Sequence, residues 1–450
     1  MTQYPAYPNY KSTGCDWFPE IPTHWEIDRA KWSVTSCQNG VWGAEPDGDD
    51  DLVCIRVADF DRQSLRISTE KLTMRRIEEK DRNKRLLEMG DLLLEKSGGG
   101  EQQLVGAVVE YNQAFPAVSS NFIAKMVVSD DMCSRFLVYQ HSHLYSGRVN
   151  FRSIKQTTGI QNLDSQAYLD EPITYPPLIE QQTIARFLDF KTGQIDALIA
   201  KKQTLLEKLA EKRTALISHA VTKGLDPSAP MKDSGVAWLG EIPVHWQSKK
   251  IKYFTLILRG KFSHRPRNDP RFYDGDYPFI QTGDVANANK FITNYSQTLN
   301  EEGLKVSRKF PAGTLVMTIA ANIGDMAILN FDACFPDSIV GFVPHESVEL
   351  NYLFYLFTAM RQQLLSTAVL NTQLNLNIER IADQLGACPP ITEQIKISKY
   401  LDSIVSKITT QQESIACVVE KLQEYRSALI TNAVTGKIDL RNWQAPKEPA

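Results

Sequence analysis

The sequence contains no CxxC pair, no apolar run of membrane-spanning length, no phosphate-binding loop and almost no net charge. Seven scattered cysteines in 450 residues read as free thiols in a reducing cytoplasm, not as disulfides or a zinc site. The longest apolar runs, such as YLFYLF at Tyr352–Phe357, fall far short of the roughly 20 residues that span a bilayer, so no membrane partner is expected. The opening MTQYPAYPNYK lacks the basic-then-apolar layout of a signal peptide. A net charge of −3 means that any nucleic-acid role rests on local charge.

Catalytic motifs are missing too. There is no GxxxxGK[ST] loop for ATP, and SGGGEQ at Ser97 lacks the lysine. An adenine methyltransferase needs an Asp/Asn-Pro-Pro-aromatic loop. The proline pairs here follow Tyr175 and Cys388 and precede Leu178 and Ile391. Glu78–Lys80 has nuclease-like spacing but lies in a charge-rich helical run, which reads as surface. His141 and His143 read as solvent-facing, and EPDGDDD at Glu45–Asp51 reads as an exposed turn without the terminal Glu of a calcium loop. No metal site and no cofactor are expected on this chain.

What is present is a repeat. EIPTHW at Glu20–Trp25 returns as EIPVHW at Glu241–Trp246. Pro176–Asp226 and Pro389–Asp439 align without gaps, with 20 of 51 positions identical. Weaker echoes lie between: IRVADF at Ile55 with IQTGDV at Ile280, and GDLLLEKSGGG at Gly90 with GTLVMTIAANIG at Gly313. Each half runs hexapeptide, variable interior, PPxxEQ, long helical stretch. His24 and His245, inside the repeated frame, are expected to hold structure.

The stretches after PPxxEQ predict helices of about 40 residues, roughly 60 Å. Pro177 suits a first turn, Glu180 complements the helix dipole, and Gly224 and Gly436 sit where a stop is expected. The expected heptad seam uses Ile184, Leu188, Ile195, Leu198, Leu205, Leu209 and Leu216 in the first helix. In the second it uses Ile397, Leu401, Ile404, Ile408, Ile415, Val418, Leu422 and Leu429. Tyr400, Val419 and Ile430 fall off that seam, on flanks open to a partner's helices. Chain connectivity favours an antiparallel pair with a globular domain at each end.

Both interiors read as short strands, among them DLLLEKS, LVGAVVEY, LVMTIAA and MAILNF, broken by Gly, Asn and Pro turns. Lys249–Arg271 carries eight basic residues and one acid; Arg56–Arg85 carries ten and six. Lysine and arginine on loops neutralise phosphates, and Arg, Lys, Asn and Gln read base edges. A charge run is also what a solvated face looks like, and the mixed signs of Arg56–Arg85 fit that reading. The basic, aromatic-interleaved Lys249–Arg271 is the stronger DNA candidate. Expected readers are Lys96, Arg148, Arg152 and Gln161 in the first interior, and Lys261, His264, Arg265, Arg267 and Asn322 in the second.

As an ordered set these motifs resemble the specificity subunit of a Type I restriction-modification system, over nearly the whole chain. The resemblance implies an α+β fold: two target-recognition domains related by pseudo-two-fold symmetry and separated by an antiparallel coiled coil. The expected boundaries are 1–175 and 227–388 for the recognition domains, 176–226 and 389–440 for the helical regions, and 441–450 for a tail. It also implies a non-catalytic chain in a prokaryotic cytoplasm that reads a bipartite, asymmetric site in double-stranded DNA. The coil would set the half-site spacing and dock two methyltransferase subunits carrying S-adenosylmethionine. Restriction motor-nuclease subunits carrying ATP and Mg would join them. A coiled-coil scaffold with protein-binding end domains is the alternative.

Overall fold

The computed structural model describes residues 4–48, 51–99, 103–264, 268–320, 323–366, 369–370, 374–375 and 377–446. The chain divides into two compact units, Met1–Gln203 with Ala416–Ala450, and Thr204–Ile415.

The first unit is closed by its frame. Strand Phe18–Pro22 pairs with Tyr10–Cys15, burying Ile21 and leading to the buried Trp25. The next strand, Glu26–Arg29, pairs antiparallel with Pro172–Tyr175, which runs directly into Pro176–Pro177 and the first long helix, Leu178–Lys223. Proline at this start is tolerated because first-turn N–H groups have no intrahelical partner. The second unit repeats the frame. Glu241–Pro243 pairs with Met231–Asp233, and Gln247–Lys250 pairs with Leu385–Cys388 ahead of the second long helix, Ile391–Val434. Each variable interior is therefore an insertion between two neighbouring strands.

The interiors diverge in sequence yet repeat in topology. In the first unit, Val34–Asn39, Ile123–Val128, Leu92–Glu95 and Val108–Glu110 lie side by side in antiparallel order, and Val108–Glu110 then pairs parallel with Arg66–Ile67. In the second, Thr255–Arg259, Ile339–Pro344, Leu315–Thr318 and Met326–Leu329 take the same order, followed by the parallel Phe291–Ile292. A smaller sheet in each unit holds one further parallel pair, Ala117–Ser119 with Asp51–Ile55 and Ala333–Cys334 with Tyr273–Phe279. A helix covers each main sheet, Ser134–Ser146 in one unit and Leu350–Ser366 in the other. His141 and His143 lie on the first of these, not in a polar loop. His141 is fully buried and His143 half-buried, because their helix face packs inward.

The long helices have 46 and 44 residues, about 69 and 66 Å at 1.5 Å per residue. In the first unit the opening half of one packs with the closing part of the other, through Ile184, Leu188, Ile195, Ile199, Leu429 and Ala433. In the second unit Ile217, Ala220 and Val221 share a core with Ile397 and Leu401. The end of one helix thus meets the start of the other, which makes the pair antiparallel. The seam follows the heptad expectation at Ile184, Leu188, Ile195, Ile397, Leu401, Ile408 and Leu429 and slips by one position locally. Ile199 is buried while Leu198 is exposed, and Val419 is half-buried while Val418 is exposed. Ile430, expected on an open flank, is buried in the first unit's core because the recognition sheet packs against this end of the helix. Among the described residues no helix is long and apolar enough to cross a membrane.

Candidate nucleic-acid interface

In each unit a joint ties the repeated hexapeptide to the start of the long helix. Glu180, in the first turn of its helix, is 6% exposed and accepts from Trp25 Nε1 at 3.0 Å and from the Tyr7 hydroxyl. His24 Nε2 lies 2.9 Å from its other oxygen. In the second unit Glu393 accepts from Trp246 Nε1 at 2.9 Å and sits 2.7 Å from His245 Nε2. The neighbouring glutamines close the same joint. Gln181 Nε2 donates to Pro176 O at 2.8 Å while its Oε1 accepts from Cys133 N at 2.8 Å. Gln394 does likewise with Pro389 O at 2.9 Å and Glu349 N at 2.8 Å. Both histidines serve structure, as expected. Nine residues further along each long helix, Asp189 holds Arg135 and Tyr139, each at 2.7 Å, and Asp402 holds Lys290 and Tyr355.

A sheet edge is built at an equivalent place in each interior. Gly40 N donates to Ile123 O and Val41 N to Ser119 O, at 2.9 and 2.7 Å. Gly260 N donates to Ile339 O and Lys261 N to Phe335 O, at 2.9 and 3.0 Å. A Cβ on either glycine would collide with a facing carbonyl, of Ser119 or of Pro336, so both positions exclude larger residues. Lys96 N donates to Phe122 O at 2.8 Å, and Ile319 N to Ser338 O at 2.9 Å. The backbone of the edge is repeated while its side chains differ.

Of the expected readers in the first unit, Lys96 is at this edge, its ammonium 2.7 Å from the neutral Asn39 amide oxygen. Gln161 is 4% exposed; its Oε1 accepts from Val105 N at 3.2 Å. It faces inward because its strand pairs with Ser97–Gly98, and there it holds the backbone beyond the glycine-rich loop. Arg148 begins a short helical turn in the left-handed region, with φ of 56°. Arg152 lies over the Trp17 ring at 4.6 Å, on the frame hairpin side and not beside Lys96. In the second unit Lys261 is exposed at the edge, and His264 packs on Phe272 at 4.3 Å and lies 3.3 Å from Asp269. The Arg271 guanidinium beside Asp269 draws that carboxyl down to about 2. Arg265, Arg267 and Asn322 lie outside the described residues.

Both basic runs are largely engaged locally. In Arg56–Arg85 the cations are largely spent on neighbours: Arg56 with Asp59, Arg62 with Glu95, Arg75 with Glu45, Arg76 with Asp47, Lys80 with Glu78 and Arg85 with Asp81. Burial nevertheless pushes the Glu95 carboxyl up, against the pull of Arg62. In Lys249–Arg271, Lys250 and Lys252 share Asp383, Arg271 pairs with Asp269 and Arg259 donates to Asp337 O at 2.7 Å, while Lys261 makes its contacts through its backbone.

The sequence reading missed Trp42 and Phe122, which are 39% and 51% exposed at the first unit's edge. Their signal was slight: NGVW at Asn39 parallels RGKF at Arg259, a glycine followed two residues later by an aromatic. Among the described residues no group of three or more His, Cys, Asp and Glu side chains could hold a metal.

Residues 243–418 match the family model for the Type I restriction modification DNA specificity domain. The chain is 22% identical over 308 residues to the Type I restriction enzyme MjaVIII specificity subunit of Methanocaldococcus jannaschii, covering 65% of this chain and 68% of that protein. The chain belongs to the Type I restriction-modification specificity subunits. It is the DNA specificity component of such a system and the non-catalytic part of that enzyme complex. The fold agrees with solved structures. A chain from a study of complex assembly and conformational transition of the type I R-M system superposes with a TM-score of 0.72 at 13% identity, over 93% of this chain and 99% of that one. The HsdS subunit from Thermoanaerobacter tengcongensis gives 0.52 at 14% identity, over 93% and 98%. The joints at Glu180 and Glu393 repeat between the two units, whereas the side chains at the sheet edge differ between them.

Proposed function

We propose that each unit reads one half of a bipartite, asymmetric site in double-stranded DNA. The observation that carries this is the repeated edge, with one backbone at Gly40–Val41 and Gly260–Lys261 under unlike side chains. A symmetric dimer reads a palindrome. One chain with two unlike halves need not. In the first half-site Lys96, Arg148 and Arg152 contact the duplex, with Gln161 bracing the loop behind them. In the second the contacts are Lys261, His264, Arg265, Arg267 and Asn322. The recognition domains span 1–175 and 227–388, and the helical regions 176–226 and 389–440.

The long helices dock two methyltransferase subunits, and restriction subunits join that complex. Exposed apolar residues on these helices support this. They include Ile179, Leu198, Val418 and Tyr425 in the first unit, and Leu205, Ile391, Ile395 and Tyr400 in the second. S-adenosylmethionine belongs to the methyltransferase partners, ATP and Mg to the restriction partners, and the assembly works in a prokaryotic cytoplasm. The test is methylation mapping. The chain is expressed with its partner methyltransferase in a methylation-free host, and N6-methyladenine is located by sequencing. A split, asymmetric motif that appears only with this chain is the expected result. Methylation that is unchanged without the chain would overturn the proposal.

A further inference from the structure

We propose that the first unit recognises a thymine by its methyl group, through an apolar recess formed by Trp42 and Phe122. This rests on the reading that the unit's edge meets DNA. The recess is about 450 Å³ and is lined by Trp42, Arg56, Val57, Ala58, Asn121 and Phe122 among others. Its walls are held in place. The Arg75 guanidinium lies over the Trp42 ring at 4.6 Å, donates to Trp42 O at 3.3 Å and is anchored by Glu45 at 2.6 Å. Arg56 is clamped by Asp59 at 2.7 Å and by Lys71 O at 3.0 Å. Phe122 stands at the rim, on the loop whose carbonyl accepts from the backbone N–H groups of both Lys96 and Ser97.

Two features select the occupant. Lys96 lies beside the recess through its backbone bond to Phe122 O, and its ammonium bonds to the neutral Asn39 amide oxygen, which suits a phosphate backbone close by. The lining is apolar, and the one apolar group a base edge offers in the major groove is the C5-methyl of thymine. An extruded base would instead need several partners for its Watson–Crick edge; the Arg56 Nε and Nη2 donors are already engaged by Asp59 and Lys71 O, which leaves Ser120 and Asn121 as the polar side chains of the lining apart from Arg56. Among the described residues the second unit does not repeat the aromatic pair that forms this recess. At the position equivalent to Trp42, Phe262 is 2% exposed in its own core, and the loop equivalent to Ser119–Phe122 reads Phe335-Pro336-Asp337-Ser338, with serine in place of Phe122. Methyl dependence is therefore confined to one half-site.

The experiment uses the assembled complex of this chain with its methyltransferase partner and duplexes carrying the mapped motif. Each thymidine is replaced in turn by deoxyuridine, which removes the methyl alone, and affinity is read by fluorescence anisotropy. We expect one position, in one half-site, where the replacement weakens binding about fourfold, the worth of one buried methyl. Phe122→Ala should bind thymine and uracil duplexes alike at that position, and Phe122→Leu should keep the discrimination. Methyl loss that has no effect anywhere, or an effect of unchanged size in Phe122→Ala, overturns the inference while leaving DNA recognition standing. A complex that shows no motif-dependent binding overturns both.

Discussion

Trp25 Nε1 donates to Glu180 Oε1 at 3.0 Å, and across 155 residues this bond joins the first repeated motif to the second. Trp246 and Glu393 repeat it at 2.9 Å. The hexapeptide and PPxxEQ recur together because each completes the other. The indole buries against the helix start and needs an acceptor, and the helix start favours an anion.

Glu180→Ala leaves the buried Trp25 and Tyr7 donors without their acceptor. A loss of about 2–4 kcal/mol is expected. Glu393 is 34% exposed, and water can replace it in part, so Glu393→Ala should lose about half as much. Urea unfolding followed by tryptophan fluorescence would rank the two.

Gly436 and Gly224 end the two long helices at φ of 71° and 79°. A Cβ at Gly436 would overlap Pro22, whereas at Gly224 its nearest neighbour is the Trp246 ring at 3.2 Å. Both alanine variants strain the backbone, by about 1 kcal/mol. Gly436→Ala adds a collision with a rigid ring, so its melting temperature should fall further than that of Gly224→Ala.

Burial draws His141 from 6.5 down to about 4. Between those values the unfolded chain holds a proton that the folded chain does not. Stability is full above the unfolded pKa and is lost as pH falls toward 4, by about 3 kcal/mol at the limit. Glu95 and Asp91, both raised by burial, act in the opposite direction over acidic pH. The difference between the wild type and His141→Gln isolates the histidine. The wild type should lose more stability than the variant from pH 7 to pH 4.5 in denaturant titrations.

Lys96→Ala and Lys261→Ala should each weaken DNA binding of the assembled complex for specific and non-specific duplexes alike. Each should lower the slope of log affinity against log salt by about one. A changed motif with an unchanged salt slope would instead make these residues base readers.

Gln161→Leu removes the acceptor of the buried Val105 N–H. A stability loss of about 1–2 kcal/mol with an unaltered methylation motif is expected, since the side chain lies beneath the edge.

Local chemistry made the frame legible from sequence alone. Proline at a helix start, glycine at a positive-φ stop, an acid beside the dipole and three-four apolar spacing are each satisfied within a turn or two of chain. They marked Pro177, Glu180, Gly224 and the long helices without any partner in view. Burial is different, because it depends on surfaces contributed from far along the chain. Only the tertiary structure could choose Ile199 over Leu198 for the seam, turn Gln161 inward beneath a loop, enclose His141, and leave Trp42 and Phe122 outside. It alone revealed that the diverged interiors share one sheet order. Backbone pairing tolerates almost any side chain on the edge, so the topology persists where the sequence repeat has been erased.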